Sequence, residues 1–127
     1  MKLNDLKELI ESSVLAFATC SFDSQPNVIA VGFVKVISDN EILITDNFMN
    51  KTAINLKQNE KTSLAFWSKD GESGYQIKGH AQYLTSGLYK DMIDKMPENQ
   101  NYGHKAAVLV TVTEIWDLAN PKLVYKK

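Results

Sequence analysis

Apolar residues in this chain come in runs of strand length, separated by polar clusters rich in Asn, Asp, Ser and Gly. The start is different: Leu6, Leu9 and Ile10 recur at helical spacing with Asn4 available as a cap, which predicts a short helix through Ser13. Val14 to Phe22 predicts a strand, ended by Asp23-Ser24-Gln25-Pro26, and Asn27 to about Ser38 a second, longer one. Asp39-Asn40 supplies hairpin turn chemistry, with Glu41 to Thr45 as the returning strand. Lys51 to Gln58 predicts a short helix capped by Asn50, and Thr62 to Ser68 a fourth strand. Tyr75 to Leu84 shows the clearest period of two. Tyr75, Ile77, Gly79, Ala81 and Tyr83 alternate with Gln76, Lys78, His80 and Gln82, as in a strand with one wet face. Ser86 opens a third helix carrying Leu88, Met92, Ile93 and Met96, stopped by Pro97. After the polar loop Glu98 to His104, the last strand runs from Lys105 to Trp116. It is apolar on both faces as far as Val112, so both of its sides should be covered.

Six strands, mostly joined as hairpins, with three short helices predict one α+β, mainly β domain over residues 1–127. A barrel would remove the edges that six apolar strands otherwise expose. Patterning does not choose between barrel topologies. Composition narrows the partners: the net charge is −1, so no basic excess calls for nucleic acid or an anionic membrane. The longest apolar runs, Val14 to Ala18 and Ala106 to Val110, are too short to span a bilayer. The charged N-terminus does not read as a secretory signal, and one cysteine, Cys20, excludes an intramolecular disulfide framework. A cytoplasmic location is expected.

One segment offers chemistry. Ile42 to Thr52 runs from a strand through a loop and delivers Lys51-Thr52 to the first turn of a helix. That turn has free backbone N–H groups and the positive end of the helix dipole, and an ammonium and a hydroxyl there complete a phosphate site. Lys51 as an ordinary solvated lysine, with Thr52 as a helix-start residue, is the competing reading. His80 and His104 belong to no metal-spaced cluster, and Cys20 reads as a small buried residue. Trp67 and Trp116 read as core or interface residues. No general acid or base is identifiable, so no catalytic residue is named.

Taken in order, several segments resemble the pyridoxamine-5′-phosphate-oxidase-like family of FMN-binding split barrels. They are Val14–Ser21, Pro26–Lys35, Phe48–Leu56, Thr62–Trp67, Gln76–Ala81 and Lys105–Val112. The resemblance implies a six-stranded antiparallel split β-barrel with short peripheral helices. It implies FMN as cofactor, with the phosphate at Lys51 and Thr52, and Thr45 and Asp46 on the ribityl and phosphate side. Ala30, Val31 and Gly32 would run along the isoalloxazine edge, where a residue without Cβ permits close approach. Gly32 as a bulge glycine is the plain alternative. Lys35 matches a position that is basic in the oxidases.

The resemblance also implies a homodimer with flavin at the subunit interface, Lys105 and Trp116 being the expected partner-side contacts. An oxidoreductase drawing on a nicotinamide or protein electron donor follows from it. A non-catalytic electron-transfer module and a flavin-free ligand-binding barrel are the rivals. In relatives that bind haem or reduce nitroimidazoles a histidine has a role, which would fall to His80 or His104. All fourteen basic residues here are lysine. The arginine-rich substrate contacts and further C-terminal region of the oxidases have no counterpart, which argues against pyridoxamine phosphate oxidation itself.

Overall fold

Eight strands form one antiparallel sheet in the computed structural model, which describes residues 1–127. They are β1 (Leu15–Cys20), β2 (Pro26–Val31), β3 (Val34–Ser38), β4 (Glu41–Asp46), β5 (Lys61–Trp67), β6 (Gly74–Leu84), β7 (Ala106–Asp117) and β8 (Lys122–Lys126). Three helices accompany them: α1 (Lys7–Glu11), α2 (Lys51–Gln58) and α3 (Leu88–Asp94). In space the strand order is β2-β1-β5-β6-β7-β4-β3, with β8 added to β7. The two ends of that order, β2 and β3, are consecutive in the chain and joined only by Gly32 and Phe33. Three peptide steps span at most roughly 11 Å. The sheet must therefore curl until its two edges converge at this corner.

The result is an open, rolled sheet of eight strands, not a closed six-stranded barrel. Two segments account for the difference. Asn27 to Ser38 is not one strand, because β2 stays paired with β1 while β3 turns away to pair with β4. Apolar residues continue straight through the break, so periodicity does not register it. The lysine-rich segment Lys122–Lys126 also pairs with β7, and so makes the eighth strand.

The core lies inside the roll. Leu15, Phe17, Ile42, Ile44, Leu64, Phe66, Ile77, Val108, Val110 and Ile115 are essentially inaccessible, each contributing about 1.5–3 kcal/mol by burial. The expectation that both faces of the last strand are covered holds. Val108, Val110 and Val112 point into the main core, while Ala107 and Leu109 form a second cluster with Leu43 of β4 and Ile93 of α3.

The N-terminal segment begins as a 3-10 turn, Leu3–Leu6, before α1. Asn4 does not cap it but donates to Asp39 instead. What α1 does is protect an edge. Its Glu11 carboxylate accepts the Val36 N–H at 2.9 Å, and Lys7 Nζ donates to the Val36 carbonyl at 3.0 Å, so β3's outward backbone groups are satisfied by side chains.

Candidate functional site

The corner where β2 and β3 part opens into a cleft of about 340 Å³, within the range of small-molecule sites. One wall is β2 and the corner itself, with Ile29, Ala30, Val31, Gly32 and Phe33. The other is the end of β4 and the loop into α2, with Thr45, Asn47, Phe48, Met49 and Asn50. Lys51, Thr52 and Asn27 close one end. Six of the predicted residues thus line one cavity: Ala30, Val31, Gly32, Thr45, Lys51 and Thr52.

The Lys51 end is rich in donors. Helix α2 has the predicted bounds, Lys51–Gln58, but Asn50 makes no side-chain cap. The first backbone bond runs from Ile54 N–H to the Asn50 carbonyl, so Lys51, Thr52 and Ala53 N–H have no acceptor within the helix. Thr52 is buried, and its Oγ1 accepts from Asn27 Nδ2 at 3.1 Å, which frees its own proton for donation. Asn47 lines the cleft as well, on the loop between β4 and α2. It is nine-tenths buried, its Oδ1 accepts the His104 N–H at 2.8 Å, and its Nδ2 has no partner.

The other end is apolar and open. A Cβ built on Gly32 would meet nothing within 4 Å, so no packing contact requires glycine there and the space in front of it is free. Phe33 packs against Tyr102 with ring centroids 5.0 Å apart, and Tyr102 meets Phe48 edge-on, forming an aromatic rim.

Three predicted residues lie elsewhere. Asp46 is fully buried and does not line the cleft. Its Oδ1 accepts the Met49 N–H at 2.8 Å and its Oδ2 the Tyr83 hydroxyl at 2.5 Å, which folds the Asn47–Asn50 loop back on the strand end. Burial, together with the hydrogen bond to Asp46 and its charge, drives the Tyr83 hydroxyl's pKa up, so Tyr83 remains the donor. Lys105 works beside them: its Nζ donates to the Met49 carbonyl at 3.0 Å and lies 3.8 Å from Asp46 Oδ1. Trp116 is on β7 opposite Gln76 and Leu123, outside the cleft. Asn27, Asn47, Phe33 and Tyr83 carry much of the site, and no local pattern marks them.

Neither histidine lines the cleft. His104 holds Asn47 through its backbone and pairs its ring with Asp94 at 2.7 Å, while His80 lies on the wet face of β6. No group of three or more His, Cys, Asp or Glu residues is arranged to hold a metal. No helix is long and apolar enough to cross a membrane.

The chain is similar to several proteins over nearly its whole length. An uncharacterized protein of Methanocaldococcus jannaschii is 33% identical over 118 residues, covering 90% of this chain and 78% of that protein. The crystal structure of HupZ from Group A Streptococcus superposes with a TM-score of 0.89 at 25% identity, covering 98% of this chain and all of the other. An FMN-binding protein from Syntrophomonas wolfei shares the fold at 18% identity, with a TM-score of 0.77 over 94% of this chain and 88% of its own. Residues 4–119 match the family described as pyridoxamine 5'-phosphate oxidase, and with that match the chain belongs to this family.

Proposed function

We propose that the cleft binds FMN and that the protein is a small FMN-dependent oxidoreductase. The observation that carries this reading is the cleft's polarity. Lys51, Thr52 and the α2 N-terminus gather donors at one end, and Gly32 leaves open space beside apolar β2 at the other. Lys51 and Thr52 would hold the phosphate, Thr45 the ribityl side, and Ala30 to Gly32 the ring edge. Asp46, Lys105 and Tyr83 position the loop without touching the ligand. Bound FMN would supply one- or two-electron chemistry at its ring, and the chain's part is to orient it and control access. With no arginine to fork a substrate phosphate, pyridoxamine phosphate oxidation itself lies outside this proposal.

The purified protein should be yellow, or should quench FMN fluorescence on titration. A colourless protein that leaves FMN fluorescence unchanged would sink the reading. Under anaerobic conditions NADH or NADPH should bleach the bound flavin, whereas colour surviving both donors would assign the chain to electron relay between proteins. Lys51→Glu should weaken FMN binding by roughly 1.5–3 kcal/mol, about 10- to 100-fold, through loss of a charge-assisted bond. An unchanged titration curve would remove Lys51 from the site. Gly32→Leu should fold normally, given the open space, yet purify without flavin. If it is still yellow, the ring lies elsewhere.

We also propose a two-fold dimer whose contact runs from the cleft along β2. Val14, Val28 and Trp67 are 66%, 64% and 54% exposed around an apolar groove of about 730 Å³, and Ile29 and Ala30 line both this groove and the cleft. Exposed apolar side chains gathered around one groove suit a protein–protein contact. Trp67→Glu should shift the sedimenting species from dimer to monomer. A wild-type chain that sediments as a monomer at every concentration would overturn this.

A further inference from the structure

Open space does not end at Lys51. Beyond it a groove of about 410 Å³ lies between the turn joining β1 to β2 and helix α2. Asn27 and Lys51 line both the groove and the cleft, so the two cavities meet at a pair of side chains. Lys51 is exposed, and its ammonium can serve either side. A phosphate held there therefore has room for a ligand in both directions.

The groove differs in kind from the cleft. Apart from Pro26 and Ile54 its walls are polar, and their hydrogen-bonding capacity is largely unspent. The turn is held by its own bonds: Ser21 N–H donates to the Gln25 carbonyl at 3.0 Å, and Gln25 N–H to Ser21 Oγ at 2.9 Å. Ser21 Oγ donates in turn to Asp23 Oδ1. Asp23 Oδ2 and the Gln25 side-chain amide are left unpaired, both on exposed residues. Asn55 faces them from α2. It is 7% exposed, its Nδ2 donates to Thr19 Oγ1 at 3.1 Å, and its Oδ1 has no partner. That oxygen is not among the unpartnered atoms sealed from solvent, so the surface Asn55 keeps offers an acceptor to the groove.

We propose that the flavin of this protein is the dinucleotide FAD, with its flavin half in the cleft and its adenylate in the groove. The assignment rests on the flavin reading of the cleft. Lys51 sits where the two phosphates join, and the Gln25 amide is a donor for the outer one. Asp23 Oδ2 accepts from the ribose hydroxyls. Pro26 and Ile54, the latter 52% exposed, supply apolar faces for the adenine ring, and Asn55 Oδ1 accepts from its amino group. FMN alone would leave this groove empty, although by volume it is a small-molecule site in its own right.

FMN and FAD both carry about two negative charges at neutral pH, so the ratio of their affinities reports groove contacts rather than attraction to Lys51. Both are titrated calorimetrically into the full chain after removal of any bound flavin. FAD should bind at least about tenfold tighter than FMN. Asp23→Ala, in an exposed turn, and Ile54→Ser, on an exposed helix face, should each bring the two flavins to within about threefold of one another. ADP should also bind, and FMN should weaken it because their phosphates meet at Lys51. FMN bound as tightly as FAD, or an FAD advantage untouched by both substitutions, overturns the proposal and leaves the FMN reading standing. ADP bound equally well by FMN-saturated protein would assign the groove to a separate nucleotide and overturn it too. Binding of neither flavin would remove the FMN reading, and this proposal with it.

Discussion

Gly79→Ala should destabilise the fold by roughly 2–4 kcal/mol, although it adds one methyl group. A Cβ at Gly79 would lie 2.3 Å from the Thr111 carbonyl oxygen, 3.1 Å from its carbon and 3.2 Å from a Val110 methyl. The first contact is with backbone, which cannot swing aside as a side chain can. The closeness comes from a β-bulge. Lys78 pairs with Glu114 but Gly79 pairs with Val112, so β7 carries Thr113 as an extra residue and presses onto β6. Thr113 Oγ1 donates to the Lys78 carbonyl at 3.1 Å, which ties the bulge in place. The lower entropy of an unfolded alanine returns only about 0.4–1 kcal/mol. For a chain of this size the midpoint of thermal unfolding should fall by roughly 8–16 °C, about 4 °C per kcal/mol. Gly32→Ala is the control: with nothing near its Cβ, it should change stability by less than about 1 kcal/mol. Equal effects at the two glycines would show that the bulge does not require Gly79.

Comparing these glycines shows what the sequence could express. The alternation in Tyr75 to Leu84 places Gly79 on the buried face correctly, because period two is a local property of a half-buried strand. The bulge belongs to the partner strand, more than thirty residues away, and leaves no mark around Gly79. The bounds of helix α2 were legible to the residue since Lys51 and the apolar spacing that follows are local, although Asn50 makes none of the capping bonds expected of it. The break at Gly32-Phe33 was not, because β3 separates from β2 only through its pairing with β4. The end of the third helix shows the same limit: the cap position falls to Gly87, at φ 95°, rather than to Ser86.

The site divides along the same line. Residues that would touch a ligand lie in two continuous segments, Asn27–Phe33 and Thr45–Thr52, and the second announces itself by its strand–loop–helix pattern. The residues that hold those segments in place come from far along the chain: Asn47 to His104, Thr45 to Asn99 and Asp46 to Tyr83 are 57, 54 and 37 residues apart. Polar side chains without periodicity read as loop or wet strand face until folding brings them together. Asp46 and Lys105 were therefore expected among the cofactor contacts, whereas they lie outside the cleft and tie down its loop.

Asp46→Ala should lower stability by about 3–5 kcal/mol and weaken FMN binding as well, without removing any group that lines the cleft. The carboxylate is completely buried and is the acceptor for both the Met49 N–H and the Tyr83 hydroxyl, with Lys105 Nζ 3.8 Å away. Alanine leaves both donors unmatched and the ammonium without its counter-charge. Asp46→Asn keeps an acceptor for Met49 and offers an amide to the Tyr83 oxygen, so it should lose less, about 1–2 kcal/mol. Tyr83→Phe should cost a similar amount, and combining it with Asp46→Asn should cost less than the sum, because both remove the same bond. Urea denaturation gives the stabilities, and flavin fluorescence titration gives the binding. The distinguishing result is the pattern across the set: in Asp46→Ala the Asn47–Asn50 loop loses its anchor, so affinity should fall even under conditions where the protein remains fully folded. Affinity unchanged in folded Asp46→Ala would mean that Lys105 and His104 alone suffice to hold the loop. Additive losses for Asp46→Asn and Tyr83→Phe would show that the 2.5 Å contact between them carries no coupling.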